Sequence, residues 1–248
     1  MTSTGISSIG NSESKIQALA GNADGLGFHV IQQRMTRIPR WKRTLDICAG
    51  TAAIIALSPV WLCAAIALAI SDPGPVFFRQ IRVGRDEKTY AMFKFRTMHQ
   101  APGLDPTETE LDRATFIGEL SGNSSPEPSS GLFRPAGHPR VTAVGRFLRR
   151  YSIDELPQLI NVLRGEMSLV GPRPALPWEV ELVNKEQRRR HAVLPGMTGL
   201  WQVSGRNQLS SAQMFALDLE YIDRCSFMTD LKILLSTPQA VLWDRHTG

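Results

Sequence analysis

The segment SIDELPQLINVLRGEMSLVGPRP, residues 152–174, opens with two adjacent carboxylates and closes with a rigid Gly-Pro-Arg-Pro turn. Ser152 and Glu155 form a capping-box pattern, and apolar residues then recur at helical spacing. Gly165 supplies a C-terminal stop. The pattern predicts a helix over residues 154–164.

The adjacent carboxylates lie at the start of this predicted helix. Pro157 is tolerated in a first helical turn, so either Ser152 or Asp154 can be the cap, and the proline favours the later one. Both registers place Asp154 and Glu155 beside exposed N–H groups and the positive end of the helix dipole, which stabilise a carboxylate nucleophile and a phosphate. Acidic residues in a first turn are also ordinary capping chemistry. Basic residues on both sides of the helix favour a polyphosphate substrate over capping alone. They are Arg146, Arg149, Arg150, Arg164 and Arg173.

A run of 24 residues without a charge, Ile47 to Ile70, is the second informative feature. As one helix it would reach roughly 36 Å, enough to cross a bilayer. Ser58-Pro59 lies at its midpoint, and proline removes a backbone hydrogen bond, so two arms of about 11 residues are predicted to meet at an angle. Basic residues flank both ends. Because such residues mark the cytoplasmic side of a membrane, the pattern favours a re-entrant hairpin, and a kinked spanning helix is the alternative.

The charge of the chain is unevenly distributed. The net charge is +5, yet residues 101–131 hold six acidic residues and one basic residue, so the remainder carries +10. This balance suits anionic lipid head groups and phosphorylated substrates. It also suits nucleic acid, but no recognised motif accompanies the charge and the aromatic residues are too scattered for stacking, so no nucleic-acid partner is predicted. The three cysteines fit neither a disulfide framework nor a metal site, which favours a reduced, cytosolic body.

The domain organisation follows from these features. Residues 1–38 are rich in Ser, Gly and Asn and are predicted to be a disordered tail. Residues 39–74 are predicted to form the re-entrant helix-break-helix, and residues 75–248 a catalytic domain with an acidic insertion at 101–131. The fold class is α+β, a mostly helical cytosolic domain with short strands. Helices are predicted at 142–150, 154–164, 177–191, 209–224 and 227–243, and strands at 76–80 and 90–95.

Seven motifs occur in order along the chain. They are KRTLDI (42–47), SP (58–59), DPGPVFFRQIRVG (72–84), FKFRTM (93–98), DELPQLINVLRGEMSLVGPRP (154–174), PGMTGLWQVSGRN (195–207) and SFMTDLKILL (226–235). Their order resembles the bacterial sugar transferase family, the monotopic polyprenyl-phosphate phosphoglycosyl transferases. Within that family the chain is most similar to the exopolysaccharide-initiating undecaprenyl-phosphate hexose-1-phosphate transferases.

The resemblance implies an activity and a cofactor. Such enzymes move a sugar-1-phosphate from a UDP-sugar to undecaprenyl phosphate and release UMP, with Mg²⁺ and a covalent phosphosugar-enzyme intermediate. Asp154 matches the family's nucleophile and Glu155 its partner, so both are predicted to lie at the metal. A carboxylate can attack phosphorus to form an acyl phosphate, which divides one difficult transfer into two in-line steps. No motif specifies the sugar, and galactose and glucose are the leading candidates by resemblance only.

Five basic residues are predicted to bind substrate phosphates. Arg149 and Arg173 match arginines of the family, and their planar forks can hold phosphate oxygens at two points. Lys94 and Arg96 alternate with phenylalanines on a predicted strand, so they share one face, although an exposed sheet face would show the same pattern. Arg206 lies in the PGMTGLWQVSGRN motif, where loop stabilisation is the competing interpretation.

The resemblance also implies a location: the cytoplasmic face of the bacterial inner membrane, in contact with anionic lipids. It leaves a homodimer open. Two other functions also stay open. A non-catalytic membrane-anchored adaptor would bind substrates without turnover. Direct transfer in a ternary complex would release UMP only after the acceptor is added.

Overall fold

The computed structural model describes residues 38–99, 113–114, 116–118, 140–205 and 209–243. Residues Pro39–Gly248 belong to one compact unit. The predicted tail up to residue 37, most of the insertion 101–131 and the candidate Arg206 lie outside the described residues.

Helices dominate the described residues, and the strands are short, which confirms the α+β prediction. The helices are α1 (Arg40–Ser71), α2 (Ala143–Arg150), α3 (Gln158–Arg164), α4 (Pro177–Leu182), α5 (Lys185–Arg188), α6 (Leu200–Ser204), α7 (Ser211–Asp223) and α8 (Phe227–Trp243). The strands are β1 (Phe77–Val83), β2 (Thr89–Phe95), β3 (Ser168–Val170) and β4 (Gly196–Thr198). Short 3₁₀ turns cover Arg85–Glu87, Ile153–Glu155 and Arg189–Ala192.

The helix α1 runs for 32 residues with Pro59 inside it. Proline has no amide hydrogen to donate to the carbonyl four residues earlier, which belongs to Ile55. The Ser58 hydroxyl takes over this role and donates to the Ile55 carbonyl over 2.8 Å. The structure therefore has one helix where two were predicted, while the bend and the re-entrant course stay predictions.

The composition and exposure of α1 suit a membrane anchor. Among the described residues it is the one helix long and apolar enough to cross a bilayer. Its apolar 18-residue window is only 11% buried, whereas the core helix of a soluble protein would be covered. Ile55 and Leu62, near its middle, are 68% and 62% exposed. This uncovered apolar surface favours membrane anchoring.

Buried polar contacts fix the first turn of α1 to the catalytic domain. The Lys42 ammonium pairs with Asp230 of α8 at 2.5 Å. It also donates to the Val170 carbonyl and the Tyr221 hydroxyl, both over 2.9 Å. The Tyr221 hydroxyl in turn donates to Asp230 over 2.7 Å. Four elements, α1, α7, α8 and β3, thus share one buried network.

The next residues of α1 extend this attachment. Arg43 donates over 2.6 Å to the carbonyls of Val162 and Leu163, at the C-terminal end of α3. A cation at this end of a helix satisfies carbonyls that have no partner within the helix. Asp46 accepts hydrogen bonds of 2.9 Å from the hydroxyl of Ser168 and the amide of Leu169.

The last turns of α1 pack against the same domain. Ala64 and Leu68 lie in a buried apolar cluster with Phe95 of β2 and Leu148 of α2. Trp61 also contacts the Phe95 ring, edge to face, with centroids 5.9 Å apart. Both ends of α1 are therefore in contact with one compact domain, and the exposed apolar surface lies between them.

The hairpin β1–β2 forms the part of the domain that follows α1. Its antiparallel register pairs Phe77 with Phe95 and Phe78 with Lys94. The Asn161 side chain of α3 covers the free edge of β2, accepting from one backbone amide and donating to one carbonyl of that strand. This pairing holds α3, and the turn that precedes it, beside β2.

Several boundaries differ from the sequence predictions. Strand β1 covers Phe77–Val83, where residues 76–80 were predicted. Strand β2 covers Thr89–Phe95, where residues 90–95 were predicted. The helix predicted at 177–191 is wrong, because Val183 is extended and Asn184 starts a new capped helix. The parallel pair β3–β4 was not predicted, since strands of only three residues are too short to carry a periodic signal.

Candidate active site

The carboxylate pair lies in a 3₁₀ turn that leads into α3. Ser152 precedes the turn in the left-handed conformation, with φ of 53°, which is unfavourable for a residue other than glycine. Its side chain makes no capping hydrogen bond, and α3 begins at Gln158 after Pro157. The predicted caps, Ser152 and Asp154, are therefore both wrong. The structure places Asp154 and Glu155 one turn ahead of α3, in a turn that we call the catalytic turn (Ile153–Glu155).

The catalytic turn packs against the buried apolar cluster at the end of α1. The side chain of Ile153 packs against the apolar cluster of Ala64, Leu68, Phe95 and Leu148. The residue directly before the carboxylates is thus held by β2, α2 and the end of α1. A position fixed in this way suits a nucleophile, because a small displacement of the attacking atom is costly in rate.

Glu155 forms an ion pair with Lys94 of β2, with Oε1 and Nζ 2.8 Å apart. Both side chains are partly accessible, with 30% and 23% of their surfaces exposed. Lys94, one of the predicted phosphate-binding residues, is thus in direct contact with the carboxylate pair. The ion pair leaves the lysine close to any phosphate that approaches Asp154.

The electrostatic environment raises the pKa of Asp154 to about 6. Burial is the larger cause and the neighbouring Glu155 charge adds to it, while Lys94 and Arg149 act in the opposite direction. A carboxylate with such a pKa is mostly ionised at neutral pH and more basic than an ordinary aspartate. Both properties favour nucleophilic attack.

Arg149 reaches the site from the last turn of α2. The helix is capped by Thr142, whose hydroxyl accepts from the Gly145 amide over 2.8 Å. A Cβ on Gly145 would lie only 2.1 Å from the Thr97 carbonyl, so the glycine allows α2 to approach this backbone closely. The Arg149 Nε then donates to the Thr97 hydroxyl over 2.8 Å.

The Gly-Pro-Arg-Pro turn holds Arg173 against a buried carboxylate. One Arg173 nitrogen lies 3.1 Å from each carboxylate oxygen of Glu179, at the start of α4. Burial alone would raise the pKa of Glu179, but the charges of Arg173, Arg82 and Arg190 and the hydrogen bond from the Leu176 amide together lower this pKa. Glu179 therefore stays ionised and keeps Arg173 in a fixed orientation.

Two more buried arginines hold the backbone of this turn. Arg82 of β1 donates to the Pro174 carbonyl over 3.0 Å, and Arg190 donates to the Arg173 carbonyl over 2.7 Å. Arg190 also pairs with Asp218 of α7 at 2.6 Å. Burial and the nearby Arg173 charge lower the pKa of Arg82 to about 10, while Glu155 acts in the opposite direction. Arg82 therefore lies within electrostatic range of both the carboxylate pair and Arg173.

The sequence predictions missed these supporting residues. Arg82 lies in the RQIRVG part of a quoted motif, so its position in a motif was a usable signal. Glu179, Arg190 and Asp218 lie in segments with many charges, and nothing in the pattern separates them from surface residues. Their burial depends on tertiary contacts that only the structure shows.

Arg96 has a different setting from the one predicted. It follows the end of β2, is buried, and donates to the backbone carbonyls of Asp72 and Pro73 at the exit of α1. Its guanidinium also lies 3.6 Å from the Asp72 carboxylate. These contacts favour a structural role at the exit of the anchor, and give no support to the predicted contact with substrate phosphate.

The donor set at the catalytic turn suits one kind of metal. Within the described residues no cluster of three or more metal-binding side chains occurs. Asp154 and Glu155 supply two adjacent carboxylates. Mg²⁺ is commonly held by one or two carboxylates together with water and substrate phosphates, so these residues fit a magnesium ion that a diphosphate completes.

Comparison with known proteins gives consistent matches. The exopolysaccharide production protein ExoY of Sinorhizobium fredii is 39% identical over 204 residues, which cover 82% of this chain and 86% of that protein. An undecaprenyl-phosphate galactose phosphotransferase of Salmonella typhimurium is 37% identical over 203 residues, covering 81% of this chain and 40% of that protein. A UDP-glucose:undecaprenyl-phosphate glucose-1-phosphate transferase of Escherichia coli is 38% identical over 209 residues, covering 79% of this chain and 39% of that protein.

The family model for bacterial sugar transferases matches residues 37–244, from just before α1 to the end of α8. This range contains every motif quoted from the sequence and all the residues of the site. The resemblance seen in the motifs is confirmed: the chain is a transferase and belongs to the bacterial sugar transferase family.

Proposed function

We propose that this protein transfers a hexose-1-phosphate from a UDP-sugar to undecaprenyl phosphate and releases UMP, through a phosphosugar bound to Asp154. The observation that carries the proposal is the setting of Asp154, whose pKa is raised to about 6 by burial and by Glu155, between the cations of Lys94 and Arg149. The names of the Salmonella and Escherichia relatives support undecaprenyl phosphate as the acceptor and galactose or glucose as the sugar.

In the first step, a carboxylate oxygen of Asp154 attacks the phosphorus that carries the sugar. The bond between this phosphorus and the bridging oxygen breaks, and UMP leaves with both electrons of that bond. The product is an acyl phosphate that links Asp154 to the sugar-1-phosphate. In the second step, a phosphate oxygen of the acceptor attacks the same phosphorus, the bond to Asp154 breaks, and the carboxylate is regenerated.

The surrounding residues stabilise the negative charge that gathers during this phosphoryl transfer. Lys94 and Arg149 oppose the negative charge that gathers when a carboxylate approaches a diphosphate. Arg173, held by Glu179, presents a fixed guanidinium fork for a phosphate group. Asp154 and Glu155 would hold a magnesium ion, which supplies neutralisation of charge on the diphosphate when it is bound.

The finer membrane topology belongs to the same proposal. We place the protein at the cytoplasmic face of the inner membrane, with α1 entering one leaflet and returning. Support comes from the contacts of Lys42 at one end of α1 and of Leu68 at the other, which both reach the same domain. A spanning helix would place one of these ends on the far side of the bilayer. The Ser58 hydroxyl that serves the Ile55 carbonyl makes the proline tolerable in an apolar medium.

A substrate panel tests the proposed activity. The purified protein would be incubated with undecaprenyl phosphate, Mg²⁺ and one of several UDP-sugars, and UMP release would be measured together with formation of the lipid-linked sugar. We expect turnover with UDP-galactose or UDP-glucose. Absence of UMP release with every UDP-sugar, from protein that is folded and membrane-bound, would overturn the proposal.

A further inference from the structure

Thr97 follows shortly after the end of β2 and contacts α2 at both of its ends. Its backbone carbonyl accepts from the Thr142 amide over 3.0 Å, at the N-terminal end of this helix. Its hydroxyl accepts from the Arg149 Nε over 2.8 Å, about two turns further on. Thr142, Gly145 and Arg149 lie on one side of the helix, because residues three and four positions apart are neighbours there. This side of α2 therefore rests against Thr97.

The backbone around Thr97 is held on two sides. The preceding residue, Arg96, is buried and donates to two backbone carbonyls at the exit of α1. On the other side, the His99 amide donates to the Arg140 carbonyl over 2.9 Å. Thr97 itself is only 6% exposed. Its hydroxyl is therefore a fixed acceptor for the Arg149 Nε.

A hydrogen bond at Nε decides the direction in which an arginine points. The guanidinium is a rigid plane, so fixing its Nε edge also fixes both terminal nitrogens. Arg149 is only half-buried, and a long side chain in such a setting otherwise keeps much rotamer freedom. Its charge nevertheless acts on Asp154, where it lowers the pKa against the effect of burial. The bond to Thr97 thus holds the guanidinium within electrostatic range of Asp154.

The kind of acceptor also matters for the chemistry. Arg173 is oriented by the carboxylate of Glu179, which neutralises part of its charge. The Thr97 hydroxyl is neutral, so its bond orients Arg149 without removing any positive charge. We propose, on the basis of the function proposed above, that Thr97 is a positioning residue whose hydroxyl directs Arg149 towards the phosphate that Asp154 attacks.

The test compares Thr97→Val, which nearly keeps the shape of threonine but lacks the hydroxyl, with Thr97→Ser, which keeps the hydroxyl. The matched control is Thr142→Ala, which removes the cap hydroxyl of the same helix and leaves the Arg149 bond in place. The measured quantity is kcat/KM for the UDP-sugar, from steady-state turnover in detergent micelles with saturating undecaprenyl phosphate, between about pH 5 and about pH 8. In a two-step transfer this ratio reports the steps up to UMP release.

We expect Thr97→Val to lower kcat/KM for the UDP-sugar on the order of tenfold. The pH profile should change as well. Protonated Asp154 cannot attack phosphorus, so activity falls as the pH falls through the pKa of this residue. Because the Arg149 charge lowers this pKa, a displaced guanidinium should move the fall in activity to higher pH. Thr97→Ser should restore both quantities, and Thr142→Ala should lower the unfolding temperature without moving the pH profile.

A double-mutant cycle tests whether Thr97 acts through Arg149. Arg149→Lys keeps a positive charge but has no Nε donor. We expect Thr97→Val to cost on the order of tenfold in the wild-type background and less than about twofold in the Arg149→Lys background, where the bond is already lost. Thermal unfolding identifies the variants that are folded. If Thr97→Val does not fold, Thr97→Ala takes its place in the cycle.

Any of three results would overturn the inference. The first is a wild-type pH profile and kcat/KM in folded Thr97→Val. The second is an equal loss in both backgrounds of the cycle, which would separate Thr97 from Arg149. The third is an equal shift in Thr142→Ala, which would indicate a general loss of order in α2. Failure of the covalent mechanism is distinguishable, because the wild type would then form no phosphosugar adduct without acceptor. The dependence of kcat/KM on Thr97 would still be measured in steady state.

Discussion

Lys42, in the first turn of α1, and Asp230, in α8, form a buried ion pair with 2.5 Å between the ammonium and the carboxylate. The pair joins the start of the membrane anchor to the C-terminal helix of the catalytic domain. Because 5% or less of either side chain is exposed, removing one charge would leave the other buried without its partner, which strongly destabilises a fold.

We therefore expect Lys42→Met to destabilise the fold by about 3 kcal/mol, because Asp230 is left as an unpaired buried charge. The double variant Lys42→Met with Asp230→Leu should recover part of this loss, since it removes both charges. The measurement is denaturant unfolding in detergent, followed by tryptophan fluorescence. Glu220→Gln, which breaks the exposed pair with Arg224, is the control and should change stability by less than about 0.5 kcal/mol. A single variant as stable as this control would contradict the expectation.

The second prediction concerns the course of α1 in the membrane. We expect single cysteines at Thr44 and at Lys88, in a protein whose native cysteines are replaced, to react with a membrane-impermeant maleimide from the cytoplasmic side. A cysteine at Leu62, within the exposed apolar surface, should react from neither side. The reason is that both ends of α1 contact one domain.

The variant Pro59→Leu tests the same topology by removing the proline from α1. Leucine restores the backbone donor to the Ile55 carbonyl and removes the cause of the predicted bend, so it should shift the segment toward a span and move the Thr44 position across the membrane. If cysteines at positions 44 and 88, in the protein that keeps Pro59, were labelled from opposite sides of the membrane, the re-entrant course would be eliminated.

The third prediction is that Arg82, which sequence motifs alone did not mark as functional, positions Arg173. Arg82→Lys keeps the charge but cannot reproduce the fork that bonds both Gln80 and the Pro174 carbonyl. We expect kcat/KM for the UDP-sugar to fall about 10- to 100-fold while the fold is retained. Arg79→Lys, on the opposite face of the same strand, is the control and should stay within about twofold. Equal activities of the two variants would remove Arg82 from the site.

The fourth prediction concerns acid stability. Burial and the adjacent Arg190 charge lower the pKa of His191 to about 4, from an ordinary value of 6.5. The unfolded chain therefore binds a proton that the folded chain does not between these values, and stability is lost as the pH falls from 6.5 to 4. His191→Gln has no such proton, so the wild type should lose on the order of 3 kcal/mol relative to this variant over that range. Unfolding curves at four pH values check this, and parallel pH profiles would contradict it.

The sequence predicted the catalytic elements well because they carry local signals. Helical spacing indicated α3, and the Asp154-Glu155 pair stood beside several arginines within one short segment. The cap of α3 was predicted wrongly, since Ser152 adopts a left-handed conformation that no pattern in the sequence indicates. The capping box is a local rule, and the tertiary contacts of Ile153 override it here.

Residues whose roles depend on distant contacts could not be predicted. Arg96 and Lys94 looked equivalent on one strand, yet Arg96 binds carbonyls at the exit of α1 while Lys94 pairs with Glu155. Lys42 lies in a run of basic residues, a pattern typical of an exposed surface, yet the structure shows it buried. Burial of a charge is decided by partners far away in the sequence, such as Asp230, and periodicity carries no information about them.

The central claim is that Asp154 carries the sugar-phosphate between the two substrates. Intact-protein mass spectrometry after incubation with UDP-sugar and Mg²⁺, without any acceptor, tests it most directly. We predict an added mass of one hexose phosphate on the wild type, located to the peptide with Asp154, together with stoichiometric UMP. We predict neither in Asp154→Asn and both in the control Glu181→Gln, which alters an exposed carboxylate. Full turnover with acceptor but no adduct and no UMP in its absence, or substantial turnover by purified Asp154→Asn, would contradict the account.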